Sequence, residues 1–327
     1  MTVANGVDAS RKLIAVTGPT GVGKTTFINA VCRSNLEVGA SLESCTKAVQ
    51  VANCEVGGEK FTLIDTPGFD DTYKSQADIL KDIADFLEQT YEKGRKVSGV
   101  IYMHRISDVR VGGIARENFR LFTKICGQKA MKNVLILTTM WEEVPIALGE
   151  SREQELARNP RFFKLAIDDG ARMCRLLQDT NPASQMIQLF MTYLPKVLQM
   201  QRELVDEHKQ LPQTEAGTEL RSELDEQVER HRMELQGLYA EMSHLVAQRE
   251  NSHEEELREL KIQVEMLKGR VAMLERDKRK LAEDGKKPSR SIRTRLKQFF
   301  LSRSADSLVV EKMRNGTGCL DANGFVL

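Results

Sequence analysis

One segment of eight residues constrains this chain more than any other. Gly18-Pro-Thr-Gly-Val-Gly-Lys-Thr25 fits the pattern G-x-x-x-x-G-K-[ST]. Its flanks matter as much as the pattern. Leu13-Ile-Ala-Val-Thr17 is a short apolar strand run, and Thr26 to Cys32 reads as the opening of a helix. Strand, glycine loop and helix in that order is the context in which such a loop cradles phosphate. Gly18, Gly21 and Gly23 let the backbone turn with its N–H groups pointing inward. Those amides, with Pro19, Thr20, Val22 and Thr26 around them, make an anion site at a helix N-terminus. Lys24 is placed to reach the β- and γ-phosphates, and the Thr25 hydroxyl to bind Mg2+. Without the flanks the same residues would be a glycine-rich turn with no ligand.

A second anchor follows downstream. Phe61-Thr-Leu-Ile-Asp65 reads as a strand ending in an acid, and Thr66-Pro-Gly68 comes next. An aspartate at the end of a neighbouring strand can hold Mg2+ through water. The Gly68 amide can then contact the γ-phosphate.

Together these anchors resemble the GTPase branch of the phosphate-loop nucleotide hydrolases. Asp65-Thr-Pro-Gly-Phe-Asp-Asp71 is similar to the septin-like group, above all to the immune-associated (GIMAP, avirulence-induced) and chloroplast-import GTPases. The likeness runs over roughly residues 10–200, a span in which many fungal proteins look similar, including the Leu-Ile-Leu-Thr-Thr-Met-Trp run. It implies an α/β fold: a Ras-like P-loop NTPase G domain with a mostly parallel sheet and one antiparallel strand. It also implies GTP or GDP and Mg2+ as ligands. Ser44-Cys-Thr46 carries the Ser-x-Thr of the first switch, so Thr46 is expected on Mg2+ when GTP is bound. Ser41–Thr46 and Gly68–Ser75 are the expected switch segments.

The chain departs from this pattern in two places. Where the family carries Asn-Lys-x-Asp or Thr-x-x-Asp, the strand Asn133–Thr138 runs into Thr139-Met-Trp-Glu142. An acid at the fourth position accepts from guanine N1–H and the 2-amino group, which adenine does not offer. Glu142 or Glu143 can do this with a longer arm. Trp141 either stacks on the base or packs in the core beneath it. An altered box also leaves an ATPase as an alternative. Secondly, Phe69 stands where Ras-type enzymes carry the water-orienting Gln. His104-Arg105 follows the strand Val97–Met103, at the sheet edge where ligands bind in open α/β folds. These two residues either reach phosphates, in this chain or across a dimer, or belong to a polar loop packed against the second switch. Intrinsic hydrolysis is expected to be slow.

The rest of the chain sorts into four parts. Residues 1–10 are an expected flexible N-terminus without a hydrophobic signal region. Residues 11–203 form the G domain. Within it, strands at Lys47–Val56 and Lys60–Asp65 make a hairpin through Gly57-Gly58. Helices are expected at Asp78–Tyr91 and Arg116–Cys126, a helical turn at Phe162–Ile167, and a last strand at Ala171–Leu176. Gln178-Asp-Thr180 takes the place of the family's fifth box, and Asn181-Pro182 opens a helix that completes the domain over 183–200.

Residues 204–285 are expected to be helical, with Pro212 and Gly217 marking a linker or a break. Leu224, Val228, Leu235, Leu238, Met242 and Leu245 form one apolar block, interrupted at His231. Leu257, Leu260, Val264, Leu267, Val271, Leu274 and Leu281 form another, with Lys278 in the seam. Val at one seam position and Leu at the other favours a two-stranded parallel coiled coil. A solvated single helix, or a hairpin folded back on the G domain, is the alternative. Residues 286–327 form a basic tail. Its stretch 286–303 has Ile292, Leu296, Phe299 and Phe300 on one helical face. That composition fits an anionic membrane surface, a nucleic-acid or nuclear-address segment, or a basic disordered tail.

Composition sets the remaining bounds. Of 327 residues, 48 are Lys or Arg and 47 Asp or Glu, so the net charge of +1 carries no global signal for nucleic acid. Six cysteines show neither metal-ligand nor disulfide-framework spacing, which fits reduced thiols in a cytoplasmic protein. The resulting expectation is a slow GTPase acting as a nucleotide-dependent switch, dimeric through its G domain or coiled coil. The competing class is a nucleotide-binding scaffold in which the coiled coil carries the function.

Overall fold

The computed structural model describes residues 11–34, 36, 49–68, 74–108, 113–177, 182–248 and 254–283. Six strands form one mixed sheet in the order β2-β3-β1-β4-β5-β6. They are β1 (Lys12–Thr17), β2 (Gln50–Val56), β3 (Glu59–Asp65), β4 (Val97–Arg105), β5 (Val134–Thr139) and β6 (Arg172–Arg175). Only β2 runs antiparallel, in register from Gln50 opposite Asp65 to Val56 opposite Glu59. The other neighbours pair in parallel. This is the mixed sheet expected of a Ras-like G domain. β4 and β5 are buried on both faces, which is why their apolar runs are nearly continuous.

Helices cover both faces: α1 (Lys24–Cys32), α2 (Gln76–Glu92), α3 (Gly113–Cys126), α4 (Ile146–Arg158), α5 (Lys164–Asp168), α6 (Pro182–Gln188) and α7 (Gln199–Gln201). α2 begins where Ser75 Oγ accepts from the Asp78 amide at 3.2 Å, and Ile79, Ile83, Phe86 and Leu87 face the core as their spacing predicts. One core layer joins α2 and α3 to the sheet, and the opposite layer joins α1 and α6 to it.

Two elements differ from expectation. The helix expected over 183–200 ends at Gln188. Phe190 is fully buried against the α1 side, and Pro195 cannot sit inside a helix. The Leu194 carbonyl and the Ser98 carbonyl each accept from Asn133 Nδ2 at 2.8 Å, which fixes the chain across the sheet instead. The stretch around Pro212 and Gly217 is not a loose linker. Leu211, Ala216 and Leu220 belong to the G-domain core, and a Cβ on Gly217 would lie 2.0 Å from the Leu211 carbonyl oxygen.

Beyond it, α8 (Glu215–Gln248) and α9 (Glu254–Ala282) pack on each other. Lys278 pairs with Asp225, and Arg232 with Glu275 at 2.7 Å. Lys268 lies over the Tyr239 ring. Rising numbers on one helix meet falling numbers on the other, so the two run antiparallel. The two apolar blocks thus meet antiparallel within one chain, as the hairpin alternative had it, rather than with a second chain in the expected parallel two-stranded coiled coil. The hairpin folds back on the G domain. α8 lies on α3 through Arg120–Glu219 and Lys124–Glu215, and Lys280 at the end of α9 pairs with Asp78 on α2. A buried core stretches from the sheet out to Leu224 and Val228 on α8 and to Leu274 and Leu281 on α9.

Candidate functional site

The site lies at the C-terminal ends of β1, β3, β4 and β5. Gly18, the first residue of the loop, has φ 138°, and a Cβ there would sit 2.3 Å from the Met103 carbonyl oxygen. β4 therefore passes so close beneath the loop that only glycine fits. Gly21 and Gly23 also have positive φ, and Gly23 hands the chain into α1. Lys24 is buried and its Nζ donates to the carbonyls of Gly18 and Pro19 at 2.8 and 2.7 Å. The ammonium is thus held at the mouth of the loop that it closes. Thr25 is buried behind it, whereas Thr26 is exposed on the first turn. Thr20 is half-buried and Val22 fully buried.

Asp65 ends β3 and is fully buried. Thr25 Oγ1 donates to its Oδ2 at 2.7 Å. A hydroxyl and a carboxylate side by side form the hard oxygen set that Mg2+ takes. Thr66 then ties the following loop to β1, its Oγ1 donating to the Val16 carbonyl at 3.0 Å. Gly68 is buried and is the last described residue of that loop. Thr46, Ser41–Thr46, Phe69 and Gln178–Thr180 lie outside the described residues.

β5 brings the base box to the loop. Thr139 is buried, and its Oγ1 donates to the Val22 carbonyl at 3.1 Å, joining the box to the phosphate loop. Trp141 takes the core alternative. Its Nε1 donates to Thr138 Oγ1 at 3.0 Å, its ring packs against Gly149 of α4, and the Arg175 guanidinium lies 4.3 Å above it. Its ring is therefore not available to stack on a base. Glu142 and Glu143 are exposed beside it.

His104 and Arg105 separate. His104 is buried edge-to-face against Phe163, and burial, followed by the nearby Arg105 charge, lowers its pKa to about 4. It is a neutral core side chain, not a phosphate ligand. Arg105 turns the other way. Its guanidinium pairs with Asp108 at 3.1 Å and lies against Gly21.

Two residues were not legible in the sequence. Met140, in the left-handed conformation at φ 58°, extends over Gly23. Arg175 clamps Trp141 from above while bonding Glu153. A methionine between a threonine and a tryptophan and an arginine on an edge strand give no pattern to read.

Residues 13–139 match a family model described as a 50S ribosome-binding GTPase. The match takes in the phosphate loop, Asp65 and the strand that ends at Thr139. The chain is 29% identical over 126 residues to GTP-binding protein A of Dictyostelium discoideum, covering 38% of this chain and 27% of that one. It is also 29% identical over 108 residues to GTPase Der of Rhodopirellula baltica, covering 28% and 24%. The chain thus spans about a quarter of the length of these relatives. Among solved structures, Toc33 of Arabidopsis thaliana with Mg2+ and GMPPNP is 19% identical, with a TM-score of 0.41 over 51% of this chain and 70% of that one. Era with MgGDPNP and 16S ribosomal RNA nucleotides is 16% identical, with a TM-score of 0.43 over 57% and 58%.

Proposed function

We propose that this protein binds GTP and GDP with Mg2+, hydrolyses GTP slowly, and uses the difference between the two states as a switch. The observation that carries this reading is the meeting of three distant segments at one point. The phosphate loop is joined to the end of β3 by Thr25–Asp65 and to the end of β5 by Thr139–Val22. Lys24 and the loop amides hold the phosphates. Thr25 and, from the first switch, Thr46 would hold the ion, and Asp65 would support it. Gly68 meets the γ-phosphate, and Glu142 reads the base edge. The bound Mg2+ supplies charge neutralisation on the phosphoryl oxygens.

Slow turnover follows from Phe69 in place of a water-orienting glutamine. Arg105, lying against Gly21, supplies positive charge from within the chain to the phosphates. Support for guanine over adenine comes from the exposed acid at 142 and from relatives whose names are those of GTP-binding proteins. The septin-like or immune-associated subtype rests on Asp65–Asp71 and Ser44-Cys-Thr46. The basic stretch 286–303 is proposed to contact an anionic membrane surface, and a second copy is proposed as partner of the G domain or the helical hairpin. Among the described residues, no helix is long and apolar enough to cross a membrane.

The test is phosphate release from GTP by the full chain beside Lys24→Ala. Slow release that the variant lacks supports the reading. Release at the same rate from both forms contradicts it. No release from a chain that still binds GTP would favour the scaffold reading.

A further inference from the structure

α9 carries a second apolar stripe, on the side away from α8. Leu260, Val264, Leu267 and Leu274 are buried in the seam of the hairpin. Ile262, Met266, Gly269 and Met273 recur at i, i+4, i+7 and i+11, which sets them in one line on the opposite face. Ile262, Met266 and Met273 are 55%, 61% and 60% exposed. A Cβ on Gly269 would have nothing within 4 Å, so the line contains an open notch. At its C-terminal end this flank is already covered. Asp277 is buried, and Lys280 pairs with Asp78 of α2. Upstream of that turn the stripe stands exposed.

The charges beside the stripe are sorted by halves. Glu255, Glu259 and Glu265 flank its first half, and Arg270, Arg276 and Lys280 its second, with Arg258 and Asp277 as the exceptions. A parallel copy of α9 would therefore set like charge on like charge, whereas an antiparallel copy sets opposite charges together. One antiparallel register satisfies every position. With Met266 opposite Gly269 of the other copy, Ile262 meets Met273, Glu265 meets Arg270, and Glu259 meets Arg276. The exceptions fit the same register, since Arg258 falls opposite Asp277. Glycine inside a helix costs stability, and here its notch admits the facing methionine.

We propose that the outer face of α9, from Glu259 to Arg276, docks a second copy of this chain in this antiparallel register. The two hairpins then stack with their α9 helices in the middle and their α8 helices outside. Helices packed in this way cross at about 20° and diverge toward their ends, which leaves room for the turn that α2 covers. Three exposed apolar side chains from each copy make a small interface, so the dimer is weak and depends on concentration and salt. The proposal deepens the reading of a second copy as partner, and it does not depend on nucleotide binding.

The experiment is sedimentation equilibrium of the full chain at tens to hundreds of micromolar, in low and in high salt, beside Glu259→Arg, Arg276→Glu and the double variant. Both positions are exposed, and circular dichroism and melting check that each variant folds. The parent chain is expected to form a dimer that loosens as salt rises. Each single variant places like charges at both symmetry-related contacts and should weaken the dimer about tenfold or more. The double variant restores opposite charges and should dimerise as the parent does. A chain that stays monomeric throughout, a dimer that neither single variant weakens, or a loss that the double variant does not restore would overturn the proposal. A dimer that forms only with GTP and ignores the variants would overturn it too, placing the second copy at the G domain. GDP titration of the same samples separates the two readings: a chain that binds no GDP yet follows the charge pattern would overturn the nucleotide reading and leave the α9 interface standing.

Discussion

Thr25 Oγ1 donates to Asp65 Oδ2 at 2.7 Å, joining the first turn of α1 to the end of β3. The contact is buried, so it holds as one unit the hydroxyl and the carboxylate proposed to serve the ion. An acid acting behind the ligand shell orients it, and losing such a partner commonly weakens metal affinity about 10- to 100-fold. Asp65→Ala should therefore weaken GTP binding by about that factor in Mg2+ and change it little in EDTA. Titration with GTP in both buffers checks this.

Gly18 is the residue of the loop least tolerant of a side chain. Its φ is 138°, and an added methyl would meet the Met103 carbonyl oxygen at 2.3 Å, so backbone conformation and space both oppose any Cβ. Gly18→Ala should cost at least about 1–3 kcal/mol in strain and displaced backbone, and should abolish nucleotide binding. Urea unfolding measures the first effect and GDP titration the second.

Arg105 lies against Gly21, while its neighbour His104 is buried in the core. Arg105→Ala should lower kcat for GTP by about tenfold or more, with a smaller change in KM, since charge stabilisation is felt mainly in the transition state. Single-turnover hydrolysis separates this from a change in binding.

Where α8 meets α3, Glu223 is buried beside Glu117, and Gln227 Nε2 donates to both at 3.3 Å. Burial first, then the hydrogen bond and charge of Glu117, push its pKa from 4.5 to about 9, with Arg120 opposing and Glu219 adding. The folded chain therefore keeps a proton that the unfolded chain releases between those values. Stability from this group is fully present below about 4.5 and lost as pH rises through about 9. Glu223→Gln should flatten that fall and make the chain more stable than the parent at about pH 8. Unfolding midpoints across pH give the answer.

The sheet was legible because its signals are local. The run before Gly18, the Gly57-Gly58 hairpin and the apolar strands at 97 and 134 each read directly as strands. The phosphate loop and Asp65 were legible for the same reason. α4 was not, because only Gly149 and Leu156 of its residues are buried and a largely polar helix shows little period. The fate of Trp141 depends on Gly149 and Arg175, which reach it only through the fold. The hairpin likewise turned on what covers Leu220, Leu224 and Val228. A seam of apolar residues has the same spacing whether a second chain or the parent domain fills it.

The loop, Asp65 and the Thr139–Glu142 box are proposed together to hold a guanine nucleotide. Competition for a fluorescent GTP analogue by unlabelled GTP, GDP and ATP in Mg2+ tests this. The full chain is the proper sample, since Leu211, Ala216 and Leu220 complete the G-domain core. Displacement by GTP and GDP, with ATP ineffective, is the predicted result. Equal displacement by ATP would contradict it and leave a phosphate-loop nucleotide binder without base selection.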